Sequence, residues 1–156
     1  MISIRMALIH EASAIWSLRR AAIYKGCAGF YPDETLKIWA ETPPSDQFKQ
    51  TLASDCYVAI MDACIAGMGM LNLQSGKVDA MFVDPQHMRR GIGKQILTLL
   101  EKLAREQGVG KLHLDASLNA VPFYRACGFS GEQAATYQSP VSGVILDCMQ
   151  MQKILA

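Results

Sequence analysis

Apolar residues recur along the chain in two periods, one near 3.6 and one near 2, and their alternation predicts mixed helices and strands. A short strand at Ile2–Met6 opens the pattern. Ile15, Leu18 and Ala22 then fall at helical spacing, predicting a helix over Ala12–Tyr24. Short helices are expected at Asp33–Ala40, after Pro32, and at Asp46–Leu52. Between them Glu41 to Asp46 reads as a turn, with Ser45 or Asp46 as a cap. Tyr57–Met61 and Ile65–Leu73 form a hairpin around Asp62, Ala63 and Cys64, and Lys77–Val83 is a further strand stopped at Asp84-Pro85. The strongest helix runs from Gly93 to Gln107: Ile96, Leu100 and Leu103 share one face, Glu101 and Arg105 are spaced to pair, and Gly108 suits the C-terminal cap. Lys111–Ala116 is a buried-type strand, Asn119–Cys127 a short helix ended by Gly128, and Phe129–Tyr137 and Gly143–Met151 are closing strands. The passage from Val83 to Lys111 gives at least one strand–helix–strand crossover, which implies a locally parallel pair inside a mostly antiparallel sheet.

Composition narrows the setting. At 156 residues the chain fits one domain over 1–156, and 51% hydrophobic against 19% charged residues excludes bulk disorder. Lys plus Arg number 15 and Asp plus Glu 14, which gives no basic face for nucleic acid. Five cysteines, at 27, 56, 64, 127 and 148, form no close pair, so buried free thiols in a reducing cytoplasm are expected rather than disulfides or zinc. His10, His87 and His113 lack ligand spacing, and no metal is expected. The apolar stretch Val58–Leu73 is broken by Asp62 and falls short of a membrane span. Met68, Met70, Met149 and Met151, at strand spacing, read as core filler.

The chemistry concentrates in residues 81–97. A strand runs into a loop with glycines at 91 and 93, and the loop opens directly into the strongest helix. Unpaired N–H groups and the helix dipole favour an anion there, glycines permit close backbone approach, and Arg89, Arg90 and Lys94 add charge. A phosphate site and a plain helix start with solvated bases both satisfy this pattern. A side chain added at either glycine should meet a bound phosphate while sparing the core. It is not a P-loop, because Gly93-Lys94 is followed by Gln95, nor a dinucleotide fingerprint, because Ile96 stands where a third glycine belongs.

Met88-Arg89-Arg90-Gly91-Ile92-Gly93 resembles the pyrophosphate loop, Gln/Arg-x-x-Gly-x-Gly/Ala, of the GNAT superfamily of acyl-CoA-dependent N-acetyltransferases, with Met88 departing at the first position. The segment Leu114–Phe129, with Asn119, Phe123-Tyr124 and Gly128-Phe129, resembles that family's second signature, in the expected order with one helix and one strand between. The resemblance implies an α/β GNAT fold: a mixed, mostly antiparallel sheet of about seven strands with about four flanking helices. It also implies acetyl-CoA as cosubstrate and direct acetyl transfer to a primary amine of a small molecule or peptide. A homodimer is compatible with it, whereas nucleic-acid and membrane partners are not expected. A catalytically silent acyl-CoA-binding or sensing module is the alternative.

By the same resemblance, the backbone of Met81, Phe82 and Val83 pairs with the pantetheine arm, and Met88, Arg89, Arg90, Gly91, Ile92, Gly93 and Lys94 surround the pyrophosphate. Asn119 contacts the cofactor or caps its helix, and Tyr124 protonates the departing thiolate or is a core aromatic. The position most often acidic in the family is Lys77, which leaves Asp79 as general base, Asp115 as runner-up, or neither if both are strand-edge carboxylates. Tyr24, Phe30, Tyr31 and Trp39 are candidates for an acceptor pocket.

Overall fold

In the computed structural model, which describes residues 1–139 and 141–156, the elements follow the expected order. They are β1 (Ser3–Met6), α1 (Ala12–Gly26), α2 (Asp33–Glu41), α3 (Asp46–Asp55), β2 (Cys56–Met61), β3 (Cys64–Asn72) and β4 (Lys77–Val83). After them come α4 (Ile92–Glu106), β5 (Lys111–Ser117), α5 (Val121–Ala126), β6 (Ser130–Gln138) and β7 (Ile145–Ile154). The sheet is seven-stranded in the order β1-β2-β3-β4-β5-β7-β6, antiparallel except for β4 and β5. Among the described residues five α-helices flank the sheet.

Local chemistry sets the boundaries. Ser45 caps α3 by accepting from the Phe48 N–H at 3.1 Å. Asp62 and Ala63, both at positive φ, make the two-residue turn between β2 and β3. After α4, Gly108 donates to Arg105 and Val109 to Ala104, the paired bonds of a Schellman end. Three expectations are corrected. Glu101 does not reach Arg105: it is buried in α4 and pairs with Lys153 of β7 at 2.5 Å, while Lys102 and Glu106 form the i,i+4 pair. β7 continues to Ile154, because Lys111 of β5 still pairs with that residue. The short helix begins at Val121, not Asn119. Its N-cap is Ala120 without a side-chain bond, and Asn119 stands in the preceding 3-10 turn.

α4 packs on one face of the sheet through Ile92, Ile96 and Leu100. It lies so close to β3 that a Cβ on Gly69 would stand 2.6 Å from the Ile96 side chain, and one on Gly67 2.8 Å from that of Ile92. The other face buries Met68 and Met70 against Ile15 and Leu18 of α1 and Leu52 of α3. Met151 is also buried and Met149 partly so, in keeping with methionine as filler.

β4 and β5 share a single register pair, Lys77↔His113, and diverge beyond it. Each strand then continues alone on its facing edge, β4 toward Val83 and β5 toward Ser117. This opening positions everything that follows. Among the described residues no helix is long and apolar enough to cross a membrane.

Candidate active site at the opening between β4 and β5

Two cavities flank the opening. One, of about 350 Å³, is lined by Met81, Phe82 and Val83 of β4, by the loop and first turn of α4, and by Asn119, Phe123 and Tyr124. The other, of about 370 Å³, lies between the sheet and helices α1 to α3 and includes Asp79, Asp115, Trp39 and Tyr137. Met81, Phe82, Ser117, Ala120 and Tyr124 line both. The strands' divergence therefore joins the two chambers, with Tyr124 at the junction.

The first chamber has the features of a phosphate-bearing, thread-like ligand site. Beyond Lys77, the edge of β4 facing β5 has no strand partner among the described residues, so its backbone groups can pair with an extended chain. At the far end, Gly91 is the N-cap of α4 at φ 77°, with no side-chain cap and nothing within 4 Å of where a Cβ would stand. The N–H groups at the start of α4 are thus free to receive an anion. Met88, Arg89 and Lys94 line this chamber. Arg90 does not; it leans to the hairpin tip, 3.8 Å from Asp62 and 3.7 Å from the Met61 sulfur. Met88 is exposed at the chamber's rim.

Gly93 departs from expectation. A Cβ there would sit 3.0 Å from Cζ of Phe123 and 3.3 Å from Cε1, so this glycine, which also lines the chamber, lets α5 dock on α4. The core is not spared by a larger residue at 93.

Asn119, released from capping, lines the first chamber and accepts a bond from the Cys27 thiol at 3.3 Å. Burial pushes that thiol up to about 11, so it stays protonated and has a hydrogen to donate. Ala22, Lys25 and Gly26 at the end of α1 also line this chamber. Nothing in their local pattern marks them, because a helix on the opposite side of the sheet reaches the site only through the chain's topology.

Tyr124 is placed by the end of its own helix. Gly128, at φ 94°, allows Phe129 to donate back to the Tyr124 carbonyl at 3.0 Å and Gly128 to that of Arg125. The accompanying apolar contact is Tyr124 on Phe129, edge to face with centroids 5.6 Å apart, and Phe123 closes the other side at 5.2 Å. The Gly128-Phe129 pair that follows the tyrosine therefore has a mechanical role. Tyr124 is 7% exposed, and among the described residues its hydroxyl has no hydrogen-bond partner. Burial raises this phenol well above the ordinary tyrosine range.

The two candidate bases differ. Asp115 on β5 is held by Lys77 at 3.4 Å. Asp79 has no ion-pair partner among the described residues and occupies a bulge: Leu71 pairs with Val78 and Met70 with Ala80, leaving Asp79 as the extra residue. Its carboxyl opens into the second chamber, yet the chamber walls desolvate it enough to raise its pKa above the ordinary value. Of the proposed acceptor aromatics, Tyr31 and Trp39 line this chamber. Tyr24 bonds Glu41 on the surface and Phe30 is exposed. Sequence reasoning missed Trp16, Arg19 and Tyr137, which complete the wall.

Residues 27–153 match the family described as the acetyltransferase (GNAT) domain. The chain is 34% identical over 100 residues to the uncharacterized N-acetyltransferase YafP of Escherichia coli K12, covering 64% of this chain but only 61% of that protein. It is 28% identical to a probable glucosamine 6-phosphate N-acetyltransferase of rice, covering 85% of this chain and 78% of that one. A solved GCN5-related N-acetyltransferase from Rhodopseudomonas palustris superposes with a TM-score of 0.89 at 26% identity, covering 98% and 95% of the two chains.

Proposed function

Since the chain belongs to the GNAT acetyltransferase family, whose members use acetyl-CoA, we propose that it transfers the acetyl group of acetyl-CoA to a primary amine by direct attack in a ternary complex. The observation that carries this reading is Tyr124, which lines both chambers where β4 and β5 part. Of the residues common to both chambers, Tyr124 alone has an ionisable side chain, so a donor in one and an acceptor in the other meet beside a proton donor.

Acetyl-CoA supplies an activated acyl thioester, and the residues present suit its shape. The free edge of β4 at Met81–Val83 pairs with the pantetheine arm, while the start of α4, with Arg89 and Lys94 beside it, receives the pyrophosphate. Asn119 holds the cosubstrate near the point where the strands part. Asp79 takes the proton that an ammonium acceptor must lose before its nitrogen can bond the acyl carbon. A phenol is protonated at neutral pH and burial raises the Tyr124 pKa further, so it reaches the reaction as a donor. It gives a hydrogen bond, and then its proton, to the sulfur as the carbon–sulfur bond breaks.

Release of free CoA thiol across a panel of small amines and peptides tests the activity. The pH profile tests the base. Asp79 acts unprotonated, so kcat should fall as pH drops through its raised pKa. In Asp79→Asn that acid limb should vanish, with kcat down about 100-fold, the ordinary scale for a positioned base. An unchanged acid limb and near-normal kcat in Asp79→Asn would return the role to Asp115 or to water.

A further inference from the structure

We infer that the acceptor amine carries an anionic group, a carboxylate or a phosphate, which Arg19 binds in the second chamber. This rests on the acetyl-transfer reading and names the class of its substrate.

Arg19 is the only arginine or lysine that the described core buries, at 8% exposed, and it lines the acceptor chamber. Its guanidinium carbon lies 4.0 Å from the centroid of the Trp16 ring. It donates to the Trp39 carbonyl at 2.9 Å and the Ala40 carbonyl at 3.4 Å. No described carboxylate forms an ion pair with it. Burying a cation without an anion is costly, and proteins nearly always pair such charges. The two carbonyls belong to the last turn of α2 and bring only the fractional negative charge of a helix end.

Desolvation lowers the guanidinium to about 10, still fully charged at neutral pH. Of its five donors two are spent on these carbonyls, and the Trp16 ring and the α2 carbonyls fix its plane. What remains is a preorganised, partly unspent fork facing a chamber, the arrangement that recognises carboxylate or phosphate oxygens. Elsewhere the chamber carries Asp79, and Asp115 with its Lys77, on β4 and β5, with Asp147 on β7. The acidic side suits the ammonium end of an acceptor, and the Arg19 side suits an anionic end of the same molecule.

Both tryptophans of the chain, Trp16 and Trp39, line this chamber beside Arg19, so intrinsic fluorescence reports its occupancy without turnover. Matched pairs should be titrated: glucosamine 6-phosphate against glucosamine for phosphate, and an α-amino acid against its amide for carboxylate. The anionic member of at least one pair should bind at least tenfold tighter than its neutral partner, and which pair responds identifies the anion. Arg19→Gln should abolish that preference while leaving CoA affinity by calorimetry unchanged. Equal binding within every pair, or a preference that survives in folded Arg19→Gln, overturns the inference. Should Arg19→Gln fail to fold for want of its bonds to α2, the wild-type pairs still decide. Should acetyl transfer itself be wrong, no amine would release CoA, a result separate from the binding preference.

Discussion

Glycines 91 and 93 stand two residues apart in one motif yet do different work. Gly91 has open space around its missing side chain and a backbone at positive φ, whereas Gly93 is a contact surface for Phe123. A methyl at 93 must push Phe123, and Phe123 packs on Tyr124. Gly93→Ala should therefore lose stability on the scale of overpacking, about 1–3 kcal/mol. Combining it with Phe123→Leu should cost less than the sum of the two single changes, by more than about 0.5 kcal/mol, the usual limit of additivity for separate sites. Denaturant melts of the four proteins check this, and strict additivity would mean that Gly93 does not act through Phe123. The sequence alone could not separate the two glycines, because their difference lies in which distant residue approaches each.

Among the elements, the first strand and the first helix are joined by a latch that no periodicity announces. Glu11 accepts from both terminal nitrogens of Arg5 at 2.8 Å and from the Leu8 backbone N–H at 2.8 Å. These bonds, those to Arg5 foremost, hold its carboxyl down at about 2. In the unfolded chain the same group titrates near 4.3. The folded pKa is the lower one, so the contribution is present above about pH 4 and is lost as pH falls toward 2. Glu11→Gln should lower Tm at neutral pH and flatten the acid side of the Tm profile, whereas an acid side as steep as the wild type's would show that the latch is inert. The larger elements were legible because their signals are local: Ser45 before α3, Gly108 after α4, and the apolar runs of β2 and β3 on either side of Asp62 and Ala63. Those misread depend on partners far along the chain. β7 is extended by β5, Glu101 is drawn to Lys153, and Asn119 is left outside the helix that begins at Val121.

At the scale of the whole molecule, function depends on two strands that pair once and part. A locally parallel pair could be inferred from the crossover between Val83 and Lys111, and Tyr124 and Asn119 from a motif. The acceptor wall could not: Arg19 and Trp16 come from α1 and Tyr137 from β6, and only the folded sheet brings them around Asp79. Tyr124 is where the two chambers become one site, and Tyr124→Phe is the most direct test of that arrangement. The ring keeps its packing on Phe123 and Phe129, and a hydroxyl with no protein partner among the described residues leaves no broken bond behind. With CoA affinity followed by calorimetry and turnover by thiol release, Kd and KM should stay within about twofold while kcat falls roughly 100-fold or more, the scale of a lost positioned acid. A near-normal kcat in the folded mutant, or a kcat loss matched by an equal loss of CoA affinity, would contradict acetyl transfer across Tyr124.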